Sequence, residues 1–143
     1  MFFTNLFLLT NLQFEIKSIT PIGAAESIIA VDYNGDGKDE IIRIENGEIF
    51  WNKKQQKLNG HPQAFGRGDI DKDGKEEAII ATGLGKKHRD APKQVLSVSQ
   101  NEIKTLWTEK GRTNHIADLH VIDDRIFLAA ANDNGEISSG WIE

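Results

Sequence analysis

Short apolar segments rich in Ile, Val and aromatic residues recur along the chain between clusters of Gly, Asn and Asp, and their spacing is that of strands. Residues 12–19 alternate, with Leu12, Phe14 and Ile16 set against Gln13, Glu15 and Lys17. After a connector over 21–26, strands are predicted over 27–31, 40–45 and 48–52, the last two joined by Asn46-Gly47, a strong two-residue hairpin signal. Residues 53–62 are polar and carry Gly60 and Pro62, so a fourth strand there is short or absent. Further strands are predicted over 63–68, 77–82, 94–99 and 102–108, with a long connector over 83–93. The segments 115–122 and 125–131 bracket Asp123-Asp124 as a hairpin, and 135–143 supplies one more strand. The fold class is all-β.

Ala78-Ile79-Ile80-Ala81 and Ile126-Phe127-Leu128-Ala129-Ala130-Ala131 are apolar at odd and even positions alike. Strands of that kind need both faces covered, which stacked antiparallel sheets provide. A two-sheet sandwich is the rival architecture, but its strands alternate with a polar outer face. Trp51, Trp107 and Trp141 fall in or near outer strands, where they read as packing between sheets, with sugar stacking as the functional alternative.

Two acidic loops interrupt this pattern on a common ruler. Asp32-Tyr33-Asn34-Gly35-Asp36-Gly37-Lys38-Asp39-Glu40 recurs 37 residues later as Asp69-Ile70-Asp71-Lys72-Asp73-Gly74-Lys75-Glu76-Glu77. Oxygen-bearing side chains at positions one, three and five, glycine at six and a carboxylate at nine suit a hard cation on a sharply turned backbone. The predicted ligands are Asp32, Asn34, Asp36, the Lys38 carbonyl and Glu40 in the first loop, and Asp69, Asp71, Asp73, the Lys75 carbonyl and Glu77 in the second. Oxygen-only ligation points to Ca2+ rather than zinc or copper. An EF-hand is excluded, because position twelve is Arg43 or Ile80 and the flanks read as strands. The simpler alternative is a pair of hairpin turns whose acids face water, but a turn needs only two special residues and not five on the same spacing. Four carboxylates in the second loop against three and a neutral Asn34 in the first predict tighter binding by the second.

The stretch from Phe65-Gly66 through the second loop to Ala81-Thr82-Gly83 resembles the FG-GAP repeat, also called the VCBS repeat in bacterial surface proteins. Phe65-Gly66 stands at the family's opening pair and Ala81-Thr82-Gly83 where its "GAP" falls, whereas the first copy has Ile28-Ile29 in place of that pair. The resemblance implies a seven-bladed β-propeller like those of integrin α heads and secreted bacterial proteins, with the calcium loop joining the first two strands of a blade. It also implies an extracellular, cell-surface or periplasmic location. In a third copy Asp118 takes the first metal position, but His120 and Ile122 replace the next two and the glycine is gone, so it reads as an ordinary hairpin.

At 143 residues the chain holds about three such blades, outside the usual range of about four to eight. The expected organisation is therefore a signal-like or disordered leader over 1–14, then a partial propeller over 15–143 with repeats at about 27–62, 63–114 and 115–143, as a fragment or a ring completed by further blades or self-association. The leader is apolar but has no Lys or Arg before Lys17 and no small-x-small cleavage site, so an ordinary first strand stays open. Its apolar run is too short to span a bilayer. A net charge of −5 disfavours nucleic acid as partner, and the absence of cysteine removes disulfide and thiol chemistry.

Connectivity places the acidic loops on one rim and the connectors on the other, where Lys86, Lys87, Arg89, Lys110 and Arg112 gather. They are candidate contacts for a protein or an acidic glycan, with a merely solvated basic loop as the simpler reading. No catalytic residues are assigned: His61, His88, His115 and His120 show no metal spacing, and no nucleophile triad or carboxylate pair stands out. The function expected is a calcium-stabilised binding or adhesion module and not an enzyme; the alternative is the propeller portion of a secreted polysaccharide-active enzyme.

Overall fold

The computed structural model describes residues 25–85, 90–110, 115–131 and 134–142. The leader over 1–14 and the alternating segment over 12–19 lie outside the described residues. Eleven strands form three antiparallel sheets among those described. Sheet 1 is β1 (Ser27–Val31), β2 (Glu40–Glu45), β3 (Glu48–Trp51) and β4 (Lys54–Lys57). Sheet 2 is β5 (His61–Gly68), β6 (Glu77–Gly83), β7 (Lys93–Val98) and β8 (Ile103–Glu109). Sheet 3 is β9 (Ile116–Ile122), β10 (Arg125–Ala131) and β11 (Ile137–Ile142). Each is a meander in chain order, as expected where tight turns join neighbouring strands. No helix among the described residues is long and apolar enough to cross a membrane.

The turns follow from their residues. Asn46 and Gly47 take φ values of 52° and 77°, the left-handed pair that matches the twist of a two-residue hairpin. Asp123 and Asp124 do the same between β9 and β10, at φ 49° and 58°. Asn52 and Lys53, at φ 42° and 60°, turn the chain into β4, a short strand exposed at every residue. Its Lys-Gln-Gln-Lys sequence keeps the free edge of sheet 1 polar. Pro62 sits on β5, an edge strand, where a missing N–H is tolerated, and the register shifts beside it.

Sheet 2 is the middle layer. One of its faces packs Ala78, Ile80, Leu96 and Val98 against Ile29, Val31, Ile42, Ile44, Ile49 and Trp51 of sheet 1. The other packs Ala64, Ile79, Ala81 and Val95 against Ile116, Leu119, Ile126, Leu128 and Ala130 of sheet 3. Strand β6 is accordingly buried at all seven residues, which accounts for its apolar sequence. Strand β10, of similar composition, differs: Ile126, Leu128 and Ala130 are buried while Phe127 and Ala129 on the opposite face are half-covered. It belongs to an end sheet, with a neighbouring sheet on one side alone among the described residues. Trp51 lies in the first core, Trp107 packs at the edge of the second, and Trp141 is exposed on β11.

The glycine of the Phe65-Gly66 pair is fixed by layer packing. A Cβ at Gly66 would lie 2.8 Å from Leu119 Cδ2 and 2.9 Å from Val121 Cγ2, so β5 approaches β9 more closely than any side chain would allow.

Candidate metal centre

Both acidic loops join the first two strands of a four-stranded sheet, and both wrap around their first aspartate. In the first loop Asp32 accepts hydrogen bonds at Oδ1 from the Gly35 (2.8 Å) and Asp36 (3.1 Å) amides and at Oδ2 from the Gly37 amide (2.8 Å). Asn34 Oδ1 accepts from Asp36 N–H at 2.8 Å, and Asp36 Oδ1 from Lys38 N–H at 2.9 Å. The second loop repeats four of these five bonds at the corresponding positions, without a counterpart to the one from Gly35 N–H. Asp69 accepts from the Asp73 (3.0 Å) and Gly74 (2.9 Å) amides, Asp71 from Asp73 N–H (3.1 Å), and Asp73 from Lys75 N–H (2.8 Å). Gly37 and Gly74 take φ values of 84° and 87°, with open space where a Cβ would stand, so glycine is needed there for its backbone and not for its size.

Position two, between the first two acids, anchors each loop. Tyr33 is buried in the core between sheets 1 and 2, and Ile70 packs on the core between sheets 2 and 3. Seating the intervening residue in the interior turns positions one and three outward together, which is the arrangement that multidentate ligation needs.

In the second loop Asp69, Asp71 and Glu77 each bring a carboxylate oxygen within 4.8 Å of the others, and this cluster could hold a metal ion. Glu77 is 3% exposed and accepts a hydrogen bond from Ile70 N–H at 3.0 Å. Burial pushes its carboxyl up to about 7; the negative charges of Asp71, Asp73 and Asp69 add to the shift and the Ile70 hydrogen bond opposes it. A cation among these oxygens would favour the ionised carboxylate and so counter both the burial and the neighbouring negative charges.

The first loop is built differently at its centre. Asn34 Nδ2 donates to Glu40 Oε1 at 2.6 Å and faces Asp36 Oδ2 at 3.4 Å, so an amide bridges two carboxylates. Glu40 Oε2 is buried and accepts no hydrogen bond, a feature that a cation ligand explains and a surface turn does not. Coordination through Asn34 requires its amide to turn and present the oxygen. Among the described residues, the acidic side chains gathered closely enough to hold one ion are Asp69, Asp71 and Glu77; Asp32, Asn34, Asp36 and Glu40 are tied by the hydrogen bonds of their own loop, Asp73 caps the Lys75 amide, and Lys38 stands at the corresponding place in the first turn.

The two loops also touch each other. Glu76 N–H donates to the Asp32 carbonyl at 3.2 Å, and Asp32 N–H points back to Glu76 Oε2 at 3.4 Å. Arg67, at the end of β5, reaches Asp39 at 2.9 Å and the Ala30 carbonyl at 3.2 Å. A cleft of about 400 Å³ opens beside the second loop, bounded by Asp71, Asp73 and Glu77 on one side and Asn101, Glu102 and Lys104 of the β7–β8 turn on the other. Nothing in the spacing of Arg67, Asp39 and Glu76 announces these contacts, since they arise from how sheets 1 and 2 stack.

Of the candidate partner residues, Lys110 is exposed just beyond β8, at the end of sheet 2 away from the acidic loops. Lys86, Lys87, Arg89 and Arg112 lie outside the described residues. Asp118 stands within β9, pairing with His120 at 2.9 Å on the exposed face, and takes no part in a loop. No protein-family model, curated protein or solved structure is significantly similar to the chain.

Proposed function

We propose that the chain is a calcium-stabilised β-propeller binding module of the FG-GAP/VCBS type, in which two Ca2+ ions clip the first hairpins of sheets 1 and 2 and the opposite rim takes a protein or acidic glycan. The observation that carries this reading is the repetition of one hydrogen-bonding scheme in two loops 37 residues apart, each ending on a carboxylate withdrawn from water. Bare turns would leave Glu77 and Glu40 in solvent, where carboxylates are best hydrated. The three sheets, each a meander beginning at the same rim, serve as blades of a partial propeller. The metal acts as a structural clip, and the reading assigns the chain to the extracellular side of a cell. Loops held on such a rigid scaffold are suited to binding, and the basic residues Lys86, Lys87, Arg89, Lys110 and Arg112 would supply the contacts.

The decisive experiment compares thermal melting in calcium and in chelator. Calcium raises the midpoint, and Asp69→Ala abolishes most of the rise. An unmoved midpoint in the wild-type chain overturns the metal reading. The rim is tested separately: replacing Lys86, Lys87 and Arg89 together by Ala abolishes retention on an acidic glycan such as heparin, and retention unchanged from wild type removes that rim from the proposal.

A further inference from the structure

The cleft beside the second acidic loop is larger than an ion and its water need. Its volume of about 400 Å³ falls in the range of small-molecule sites, about 300–1,000 Å³, whereas one water takes about 30 Å³. Strand register explains how it is lined. Ile79 pairs with Ser97 and Ser97 with Lys104, and Glu77 lies two residues before Ile79, so Glu77, Ser97 and Lys104 share one face of sheet 2. Ile79 and Val95 on that face pack into the core with sheet 3, whereas the residues beside them towards the acidic loop are polar. Ser97 is 6% exposed, lines the cleft, and its hydroxyl has no hydrogen-bond partner among the described residues. Glu77 holds Ile70 N–H with Oε2 and has no partner for Oε1 among the described residues. Polar groups this deeply buried are ordinarily hydrogen-bonded, and here the partner can reach them only through the cleft.

We propose that this cleft binds a neutral sugar through vicinal hydroxyls, which complete the coordination of the second-loop Ca2+ and hydrogen-bond to Ser97 and the β7–β8 turn. The inference rests on the metal of the reading above and gives that ion a second role. Asp69, Asp71 and Glu77 Oε1 offer one oxygen each, and adding Asp73 and the Lys75 carbonyl brings the loop to about five, whereas Ca2+ takes about six to eight. The oxygens still missing come from the cleft, because Asp71, Asp73 and Glu77 form its wall. Charge then selects the ligand. The carboxylates of Asp69, Asp71, Asp73 and Glu77 outweigh one divalent cation, Lys75 offsets part of the remainder, and Lys104 is already paired with Glu102 at 2.9 Å. The cleft stays negative with the metal bound, which disfavours a carboxylate or a phosphate. A hydroxyl is neutral, turns a lone pair to calcium and donates its proton to a carboxylate. Two adjacent hydroxyls on a ring do this without ordering a flexible chain. The rest of the lining suits a sugar: Ser97, Ser99, Gln100 and Asn101 supply donors and acceptors, and Ile70 and Leu106 supply apolar contact for ring carbons.

The experiment titrates the isotope-labelled full chain with methyl α-mannopyranoside and methyl β-galactopyranoside, whose vicinal hydroxyls differ in geometry, and follows amide chemical shifts in calcium and in chelator. At least one of the two binds in calcium with a Kd of about 1–10 mM, and neither binds in chelator. Ser97→Ala and Asn101→Ala each weaken that binding about fivefold or more while keeping the calcium-induced rise in melting midpoint, since neither side chain is a metal ligand. A midpoint raised by calcium with no shift from either sugar up to about 100 mM overturns this inference and leaves the metal reading standing. A midpoint that calcium does not move removes the metal and the inference with it. Sugar binding that is equal in chelator, or untouched by both variants, places the sugar elsewhere and overturns the inference too.

Discussion

Lys93 Nζ lies 2.9 Å from a Glu109 carboxylate oxygen across the β7–β8 ladder and 3.1 Å from the Ala131 carbonyl of sheet 3. The lysine side chain is 4% exposed, while Glu109 is half in solvent, so one buried ammonium joins two sheets and keeps its counter-ion at the surface. Removing the carboxylate leaves the charge buried with a backbone partner alone. Glu109→Ala is expected to cost about 1–2 kcal/mol, less than a fully buried pair because water already reaches Glu109. Urea denaturation measures it, and a loss no larger than at an exposed glutamate such as Glu26 would show that the pair contributes nothing.

Loop charge makes opposite predictions for the empty and loaded states. Asn34→Asp replaces the amide that donates to Glu40 with a third charge facing Asp36 and Glu40. In chelator the variant should lose about 1 kcal/mol of stability, and its first site should bind calcium about tenfold more tightly. Calorimetric titration beside a chelator melt reads both. Destabilisation without a gain in affinity would mean that Asn34 is a turn residue and no ligand.

How much of this was legible in the chain depends on the range of the cause. The Asn46-Gly47 turn, the strand segments and the two loop rulers are set by neighbours a few residues apart, and the sequence displays them directly. Strand β4 was at the limit of that reading, because Lys-Gln-Gln-Lys buries no face and its Asn52-Lys53 turn reaches left-handed φ without glycine. Strand β10 looked as enclosed as β6, since local apolarity does not say whether a neighbour exists. The contacts of Arg67 with Asp39 and of Asp32 with Glu76 depend on sheet stacking and leave no periodic trace.

Glu77 gives the chain a pH signature. Its carboxyl is raised from the ordinary 4.5 to about 7 in the folded state, so between those values the folded form holds the proton more tightly than the unfolded chain. In chelator its contribution to stability is therefore full below about pH 4.5, declines as pH rises towards 7 and is gone above. Glu77→Gln removes that decline, which the difference between wild-type and variant melts at pH 5 and pH 8 isolates. Calcium needs the ionised form, so affinity for the metal rises from pH 6 to pH 8, opposite in sign. A wild-type difference that persists unchanged in the glutamine variant would assign the slope elsewhere.

Lys72 occupies position four of the second loop at φ 61°, where the first loop has Gly35 at φ 77°. A left-handed conformation is costly for a residue with a Cβ, by about 1–2 kcal/mol, and glycine returns part of that gain as unfolded-state entropy. Lys72→Gly should stabilise the chain by about 0.5–1 kcal/mol in calcium and in chelator alike, because the strain is in the backbone and not in the ligand set. A change in melting midpoint of the opposite sign would place the value of Lys72 in its side chain.

Gly66 tests the stack itself. The nearest atoms to a Cβ at this position are Leu119 Cδ2 at 2.8 Å and Val121 Cγ2 at 2.9 Å, both on β9 of sheet 3. Leu119 can swing its far end aside, but Val121 is branched at Cβ and stiff, so alanine must push β5 and β9 apart or force a poor rotamer. Gly66→Ala is expected to cost about 1–3 kcal/mol. If the clash is the cause, Val121→Ala in the same chain makes room for the new methyl, and the double variant loses less than the two single changes together by about 1 kcal/mol. Strict additivity in that cycle would mean that Gly66 is required for its backbone alone, and that sheets 2 and 3 do not approach each other there as closely as the structure has them.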